Sequence, residues 1–157
     1  MQNKGKIIAL DIHEKKLDEL KKRAARGGVD IIETRWIESN KVIKRLKETA
    51  DRVLLDVPCS GSGVIRRDPD TKWKLNEEEC LKLTELQHFI ITDYSEMVKK
   101  GGYLIYSTCS LFPSENSEIV KKFINSSNNQ FELEAENAIL PTSGGGDGFY
   151  MARMRKN

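Results

Sequence analysis

The chain is poor in the residues that build disulfide frameworks, fibrous repeats and membrane spans. Three of its 157 residues are cysteine: Cys59, Cys80 and Cys109. An odd, widely spaced set makes no CxxC pair, no zinc pattern and no disulfide framework. This points to a reducing, cytoplasmic compartment and to no metal site. Four prolines and eleven glycines argue against a disordered or collagen-like chain. No apolar run approaches the ~20 residues of a membrane helix. The opening MQNKGKIIALD has no signal-peptide hydrophobic region and no small-residue cleavage site, so no membrane partner is expected. An excess of one charge is missing too, with 26 basic against 24 acidic residues. Only residues 1–50 lean basic, 13 against 8. That bias suits a polyanion partner, but it suits a solvated helix face such as Lys21-Lys22-Arg23 equally well.

What is present is a globular composition, 38% hydrophobic and 32% charged, with no internal repeat and no linker. Residues 1–157 therefore read as one domain. Ile7 to Ile12 reads as a buried strand. Residues 13–26 read as an amphipathic helix with Leu17, Leu20 and Ala24 inward, stopped by Gly27-Gly28. Val29 to Thr34 is a second strand and Ser39 to Ala50 a short basic helix. The continuous apolar run Arg52 to Val57 suggests a strand buried on both faces, as in a parallel sheet. Cys59 to Leu75 is a long loop, of the kind that is usually functional. Asn76 caps a long helix carrying three acids in its first turn. Its buried stripe is Leu83, Leu86, Ile90, Tyr94 and Met97, and Gly101-Gly102 ends it. Tyr103 to Tyr106, Phe131 to Glu136 and Phe149 to Met154 are strands. Ser114 opens a helix with Ile119, Val120, Phe123 and Ile124 inward, and Gly144 to Asp147 is a turn.

Strands alternating with helices, then two closing strands, predict an α/β fold with a mostly parallel sheet. Ligands in such sheets sit beyond the carboxyl ends of the strands. Three chemical groups fall there: Asp11, the run Asp56-Val57-Pro58-Cys59, and Thr108-Cys109-Ser110. Taken singly, each has a structural explanation. Free cysteines pack well in cores, and Asp11 or Asp56 can hold the turn that follows its strand. Cys80, His13 and His88 have no paired ligands and read as structural.

Taken together, LLDVPCSGSGVIRRDPDTKWK (Leu54 to Lys74) and YSTCSLFPSENSEIV (Tyr106 to Val120) resemble the Sun-type (RsmB/NOL/Sun) RNA (cytosine-5)-methyltransferases. DGFYMARMR and GKIIALDIHEKKLDEL are similar to other strands of that family, so the likeness covers essentially the whole chain. The resemblance implies a Rossmann-like sheet and the cofactor S-adenosyl-L-methionine. It also implies a ribosomal or transfer RNA substrate, and hence a part in rRNA processing. Carbon 5 of cytosine is a poor nucleophile, and a thiolate adding to carbon 6 activates it. By resemblance Cys109 is that nucleophile, Cys59 assists resolution of the covalent adduct, and Asp56 supports the protonated cytosine ring. Pro58 shapes the pocket wall. Asp56 and Pro58 also border the cofactor, whose ribose hydroxyls fall to Asp11. Arg66, Arg67, Lys72 and Lys74 are candidate contacts for RNA phosphates.

Two features depart from the family pattern. Its glycine-rich Ala-Pro-Gly-Gly-Lys-like turn, which cradles the methionine end of the cofactor, is absent from these 157 residues, as are the first central strand and its helix. Ser143 to Gly148 precedes a strand rather than a helix and is no substitute. Glu38 or the Trp36 ring stands where the family places an acid for the adenine. The chain is thus expected to be an N-terminally truncated catalytic domain that closes its sheet directly, pairs as a homodimer, swaps a strand or recruits another polypeptide. The alternative is an inactive remnant that binds RNA or a partner. A cysteine hydrolase using His88 is disfavoured because no orienting partner or oxyanion motif is evident.

Overall fold

The computed structural model describes residues 1–128, 130–142 and 145–157, with all their side chains except that of Lys74. Ser143 and Gly144, in the expected glycine-rich turn, lie outside the described residues. The chain divides into two compact units, Met1–Arg45 and Leu46–Asn157.

In the first unit, β1 (Ile7–Asp11) and β2 (Ile32–Trp36) pair in parallel, with Ile7 opposite Ile32 and Asp11 opposite Trp36. Helix α1 (Glu14–Arg26) connects them and buries Leu17, with Leu20 and Ala24 half-buried beside it. Gly27 stops it by donating to Arg23 O at 3.0 Å, and Gly28 follows at φ +63, a conformation that favours glycine. β1 is less enclosed than expected: Ile7 is exposed and the rest are half-buried. The expected helix at 39–50 shrinks to α2 (Lys41–Lys44).

In the second unit the sheet order is β3-β4-β6-β5. It is built from β3 (Ala50–Asp56), β4 (Val98–Thr108), β5 (Phe131–Ile139) and β6 (Phe149–Lys156). β3 and β4 are parallel, while β4–β6 and β5–β6 are antiparallel. This is the expected Rossmann-like α/β design, parallel where helices join the strands and closed by antiparallel C-terminal strands. The chain enters β3 early because Glu48 N donates to Glu96 O and Ala50 N to Met97 O, each at 2.9 Å. That capture ends the helical stretch short of Ala50. The core gathers Leu55, Leu104, Tyr106 and Met154 from the sheet, with Ile91, Val120 and Phe123 from the helices. β3 is an edge strand, and its burial alternates rather than covering both faces: Val53 and Leu55 are buried while Leu54 is 69% exposed.

The long loop after β3 holds a 3-10 turn at Ser62–Val64 and the single-turn helix α3 (Thr71–Lys74). Helix α4 (Glu77–Ser95) starts where expected, with Asn76 Oδ1 accepting from Glu79 N at 2.9 Å. Met97 is buried as expected, but the buried residues within the helix are displaced by one, to Gln87, Ile91 and Ser95, spaced four apart on one face. It also ends earlier, because Gly101 and Gly102 belong to β4. There Gly101 takes φ +76, and a Cβ on Gly102 would stand 2.9 Å from Asp51 O beside the register shift of β3. Helix α5 (Ser117–Ser126) buries Ile119, Val120 and Phe123 as expected. No described helix is long and apolar enough to cross a membrane.

Candidate active site

The register of β3 and β4 sets the site. Asp56 lies opposite Ser107, so the two parallel strands end together. The chain leaves β3 through Val57-Pro58-Cys59 and leaves β4 through Thr108-Cys109. Both loops emerge at the carboxyl edge, where an α/β sheet presents its ligand site. Cys59 Sγ and Cys109 Sγ meet there at 3.2 Å. Fifty residues of sequence separate two half-buried thiols that share one hydrogen bond.

Close packing holds the loops together. Gly63 N donates to Cys109 O and Gly148 N to Gly63 O, each at 2.8 Å. A Cβ on Gly63 would stand 2.5 Å from Gly148 O and 2.7 Å from Cys109 O, so only glycine fits. Three buried hydroxyls, of Ser60, Ser62 and Ser110, lie within 3.1–3.2 Å of one another. Ser62 Oγ accepts from Leu111 N at 2.8 Å, and Ser110 Oγ accepts from Phe112 N at 3.1 Å. Thr108 Oγ1 donates to Asn116 Oδ1 at 2.6 Å, and Asn116 Nδ2 donates to Ser110 O at 2.9 Å. The residues either side of Cys109 are therefore fixed by side chains from both loops and from the turn before α5.

Burial pushes the Cys59 thiol from its ordinary 9.0 up to about 12, and the hydrogen bond with Cys109 adds to the shift. Cys59 thus keeps its proton at neutral pH and is placed to share it with Cys109. Burial also raises the Tyr106 phenol, with the charge of Glu115 as a further cause.

The other expected site residues are distributed as follows. Asp56 is exposed at the end of β3, and Pro58 is exposed beside Cys59. In the first unit, Asp11 ends β1 half-buried; its Oδ1 accepts from His13 N at 2.7 Å, and its Oδ2 lies 3.9 Å from Lys16 Nζ. The Trp36 indole donates to Ile12 O at 3.0 Å, and Glu38 is exposed. Arg66 borders a cavity of about 310 Å³ together with Ser62, Leu111 and Asp147; neither cysteine lines it. Arg67 is paired with Asp147 at 2.6 Å. Lys72 Nζ stands 5.5 Å from the Trp73 ring centre, and that ring is 82% exposed. The side chain of Lys74 lies outside the described residues. Cys80 and His88 both lie on α4, and His88 Nε2 is buried without a partner. Among the described residues no three His, Cys, Asp or Glu side chains gather as a metal would require.

Motif reading singles out Ser110 beside Cys109 but misses the other groups that hold the loops: Ser60, Ser62, Asn116, Gln87 and above all Glu115. For all but Gln87 the one signal is membership of the SGSG and SLFPSEN segments. Glu115 there reads as an ordinary acid at a helix start.

This fold places the chain among Rossmann-type methyltransferase structures. It matches the crystal structure of PH0851 with a TM-score of 0.92 and 32% identity, over 99% of this chain and 38% of that one. It matches NSun6 from Pyrococcus horikoshii with SFG at 0.86 and 27%, over 99% and 42%. Among curated relatives it is 36% identical to the probable ribosomal RNA small subunit methyltransferase B of Bacillus subtilis (strain 168), over 99% of this chain and 39% of that protein. It is also 36% identical to ribosomal RNA small subunit methyltransferase B of Pasteurella multocida, over 96% and 37%. The model of the 16S rRNA methyltransferase RsmB/F family matches residues 1–155, and the chain belongs to that family. It spans less than two-fifths of the length of these two relatives.

Proposed function

We propose that these residues form the catalytic part of an S-adenosyl-L-methionine-dependent methyltransferase that modifies carbon 5 of a cytosine in ribosomal RNA. The observation that carries the proposal is the 3.2 Å approach of Cys59 Sγ to Cys109 Sγ at the common end of β3 and β4. A lone cysteine would be packing, whereas two thiols converging beside an exposed aspartate match covalent attack on a pyrimidine.

In this mechanism Cys109 attacks carbon 6 as its thiolate, with the Cys59 thiol donating a hydrogen bond to that sulfur. Asp56 faces the ring nitrogen that gains charge and stabilises its protonated form. The cofactor supplies a methyl group on a sulfonium centre, which carbon 5 takes up. Solvent water then takes the proton of carbon 5, the freed electron pair re-forms the carbon 5–carbon 6 double bond, the carbon 6–sulfur bond breaks, and Cys109 departs as thiolate. Cys59, still protonated, steadies the departing sulfur, which is how it assists resolution. Pro58 walls the pocket.

Asp11 fits the cofactor ribose: it ends a strand, and Oδ2 keeps acceptor capacity for a diol while Oδ1 holds the turn into α1. The methionine end needs a glycine-rich turn that these 157 residues do not contain. We assign Arg66, Arg67, Lys72 and Lys74 to RNA phosphates, take 1–157 as part of one catalytic domain, and place the enzyme in the cytoplasm. The free edge of β3 takes a further strand, from another segment, another polypeptide or a second copy.

The test is transfer of labelled methyl groups to 16S rRNA by the protein in its full natural length. Wild type should label carbon 5 of a cytosine, and Cys109→Ala should not. Label transfer that survives Cys109→Ala removes the covalent mechanism. Calorimetry that finds no cofactor binding favours the inactive remnant.

A further inference from the structure

Among the described residues Glu115 is the one charged side chain with no solvent exposure. A carboxylate taken out of water is costly unless hydrogen bonds replace its hydration. Here they come from Ser60 and Gln87. Glu115 Oε1 accepts from the Ser60 backbone N–H at 2.9 Å, and Oε2 accepts from the Ser60 hydroxyl at 2.6 Å. Gln87, also fully buried, donates through Nε2 to Glu115 Oε1 at 3.2 Å and to Pro58 O at 2.9 Å. Pro58 O belongs to the peptide bond before Cys59, and Ser60 N to the one after it. Both peptide groups flanking Cys59 are thus held by one buried pair from α4 and the turn before α5.

Two further observations suggest that holding this turn is the purpose of the pair. Gln87 Oε1 is buried with no partner, a cost that a leucine in the same core position would avoid. Glu115 is itself anchored from below: the Tyr106 hydroxyl donates to Glu115 O at 2.7 Å. Neither Glu115 nor Gln87 bonds to the Cys59 sulfur.

We propose that Glu115, acting with Gln87, is a positioning residue that fixes the Pro58–Cys59–Ser60 turn and so keeps the Cys59 sulfur against that of Cys109. Its consequence for catalysis rests on the roles assigned above to the two cysteines; the positioning itself does not.

The test uses the full-length natural protein carrying Cys80→Ser. Glu115→Gln keeps shape and removes the charge, and Gln87→Met keeps volume and removes the Pro58 clamp. The first readout is the rate at which diamide joins Cys59 to Cys109, followed by peptide mass. The two thiols lose two hydrogens and form the disulfide while diamide is reduced to its hydrazine. Both variants should pair at least tenfold more slowly than the parent, with thermal melts still cooperative. Folded variants that pair at the parent rate overturn the proposal. Should Glu115→Gln fail to fold, Gln87→Met decides alone by the same criterion.

The second readout is covalent RNA–protein adduct on a denaturing gel. Accumulation of adduct with slowed turnover, the outcome also expected of Cys59→Ala, supports positioning of the resolving thiol, since general loosening would lower adduct formation as well. Slowed pairing without accumulation upholds the positioning and overturns instead the role of Cys59 in resolution.

Discussion

The Tyr106 hydroxyl donates to the Glu115 backbone carbonyl at 2.7 Å, tying the carboxyl end of β4 to the turn that opens α5. Both residues are fully buried. Tyr106→Phe should leave that carbonyl unpaired while its ring keeps the edge contact with Tyr150, whose centre lies 6.4 Å away. The expected cost is about 1–3 kcal/mol, read as a lower urea midpoint at unchanged slope. An unchanged midpoint would show that water or a relaxed turn satisfies the carbonyl.

At Gly63 three backbone segments meet, since it bonds to both Cys109 O and Gly148 N. A Cβ there would meet Gly148 O at 2.5 Å and Cys109 O at 2.7 Å, so backbone, not a flexible side chain, must move. Gly63→Ala should cost about 1–3 kcal/mol by overpacking. It should also slow methyl transfer more than tenfold, because the displaced group is the carbonyl of Cys109 itself. A variant of normal stability and normal turnover would mean that the loops yield freely and that their packing does not place the sulfur.

The Cys59 thiol supplies a pH signature. Its folded value is about 12 against an ordinary 9.0, raised first by burial. Because the folded value is the higher one, the stability it contributes is fully present below pH 9 and is lost as pH rises towards 12. In the folded chain thiolate is therefore scarcer at this position than in a free cysteine. Iodoacetamide should therefore leave Cys59 unmodified under conditions that label a model peptide fully, and unfolding in urea should remove the protection. Peptide mass mapping decides, and labelling of native Cys59 at the peptide's rate would contradict the buried, protonated thiol.

The legible and illegible parts of this protein divide along physical lines. The Pro-Cys and Thr-Cys motifs, the order of strands and helices, and the Asn76 cap are local, and each can be read within a few residues. Glu115 is different. Its neighbours suggest a solvated helix start, and only the fold brings Ser60 and Gln87, 55 and 28 residues away, onto its two oxygens. The stripe of α4 departs from expectation for the same reason. Leu86 and Ile90 look like the apolar face, but the helix turns Gln87 inward because its amide is needed at Pro58 and Glu115, leaving Leu86 42% exposed. The run Arg52 to Val57 suggests burial on both faces, yet apolar continuity says nothing about which strands are present to cover it. With β3 at the sheet edge, Leu54 faces outward.

The loop between β3 and α4 carries the four candidate contacts for RNA phosphates. Arg66 is exposed and borders the cavity, Arg67 is already paired with Asp147, and Lys72 stands over the exposed Trp73 ring. If this loop tracks an RNA backbone, Arg66→Ala and Lys72→Ala should each weaken binding of a single-stranded 16S fragment across sequences. Each should also flatten the plot of log affinity against log salt by about 0.7 for every phosphate that is no longer neutralised. Arg67→Ala should do less, since its charge is largely answered within the protein. Trp73→Ala should weaken binding with no change in salt slope, because stacking on a base releases no counterions. Filter binding at four salt concentrations separates these cases. Equal slopes for wild type, Arg66→Ala and Lys72→Ala would remove the loop from the RNA interface.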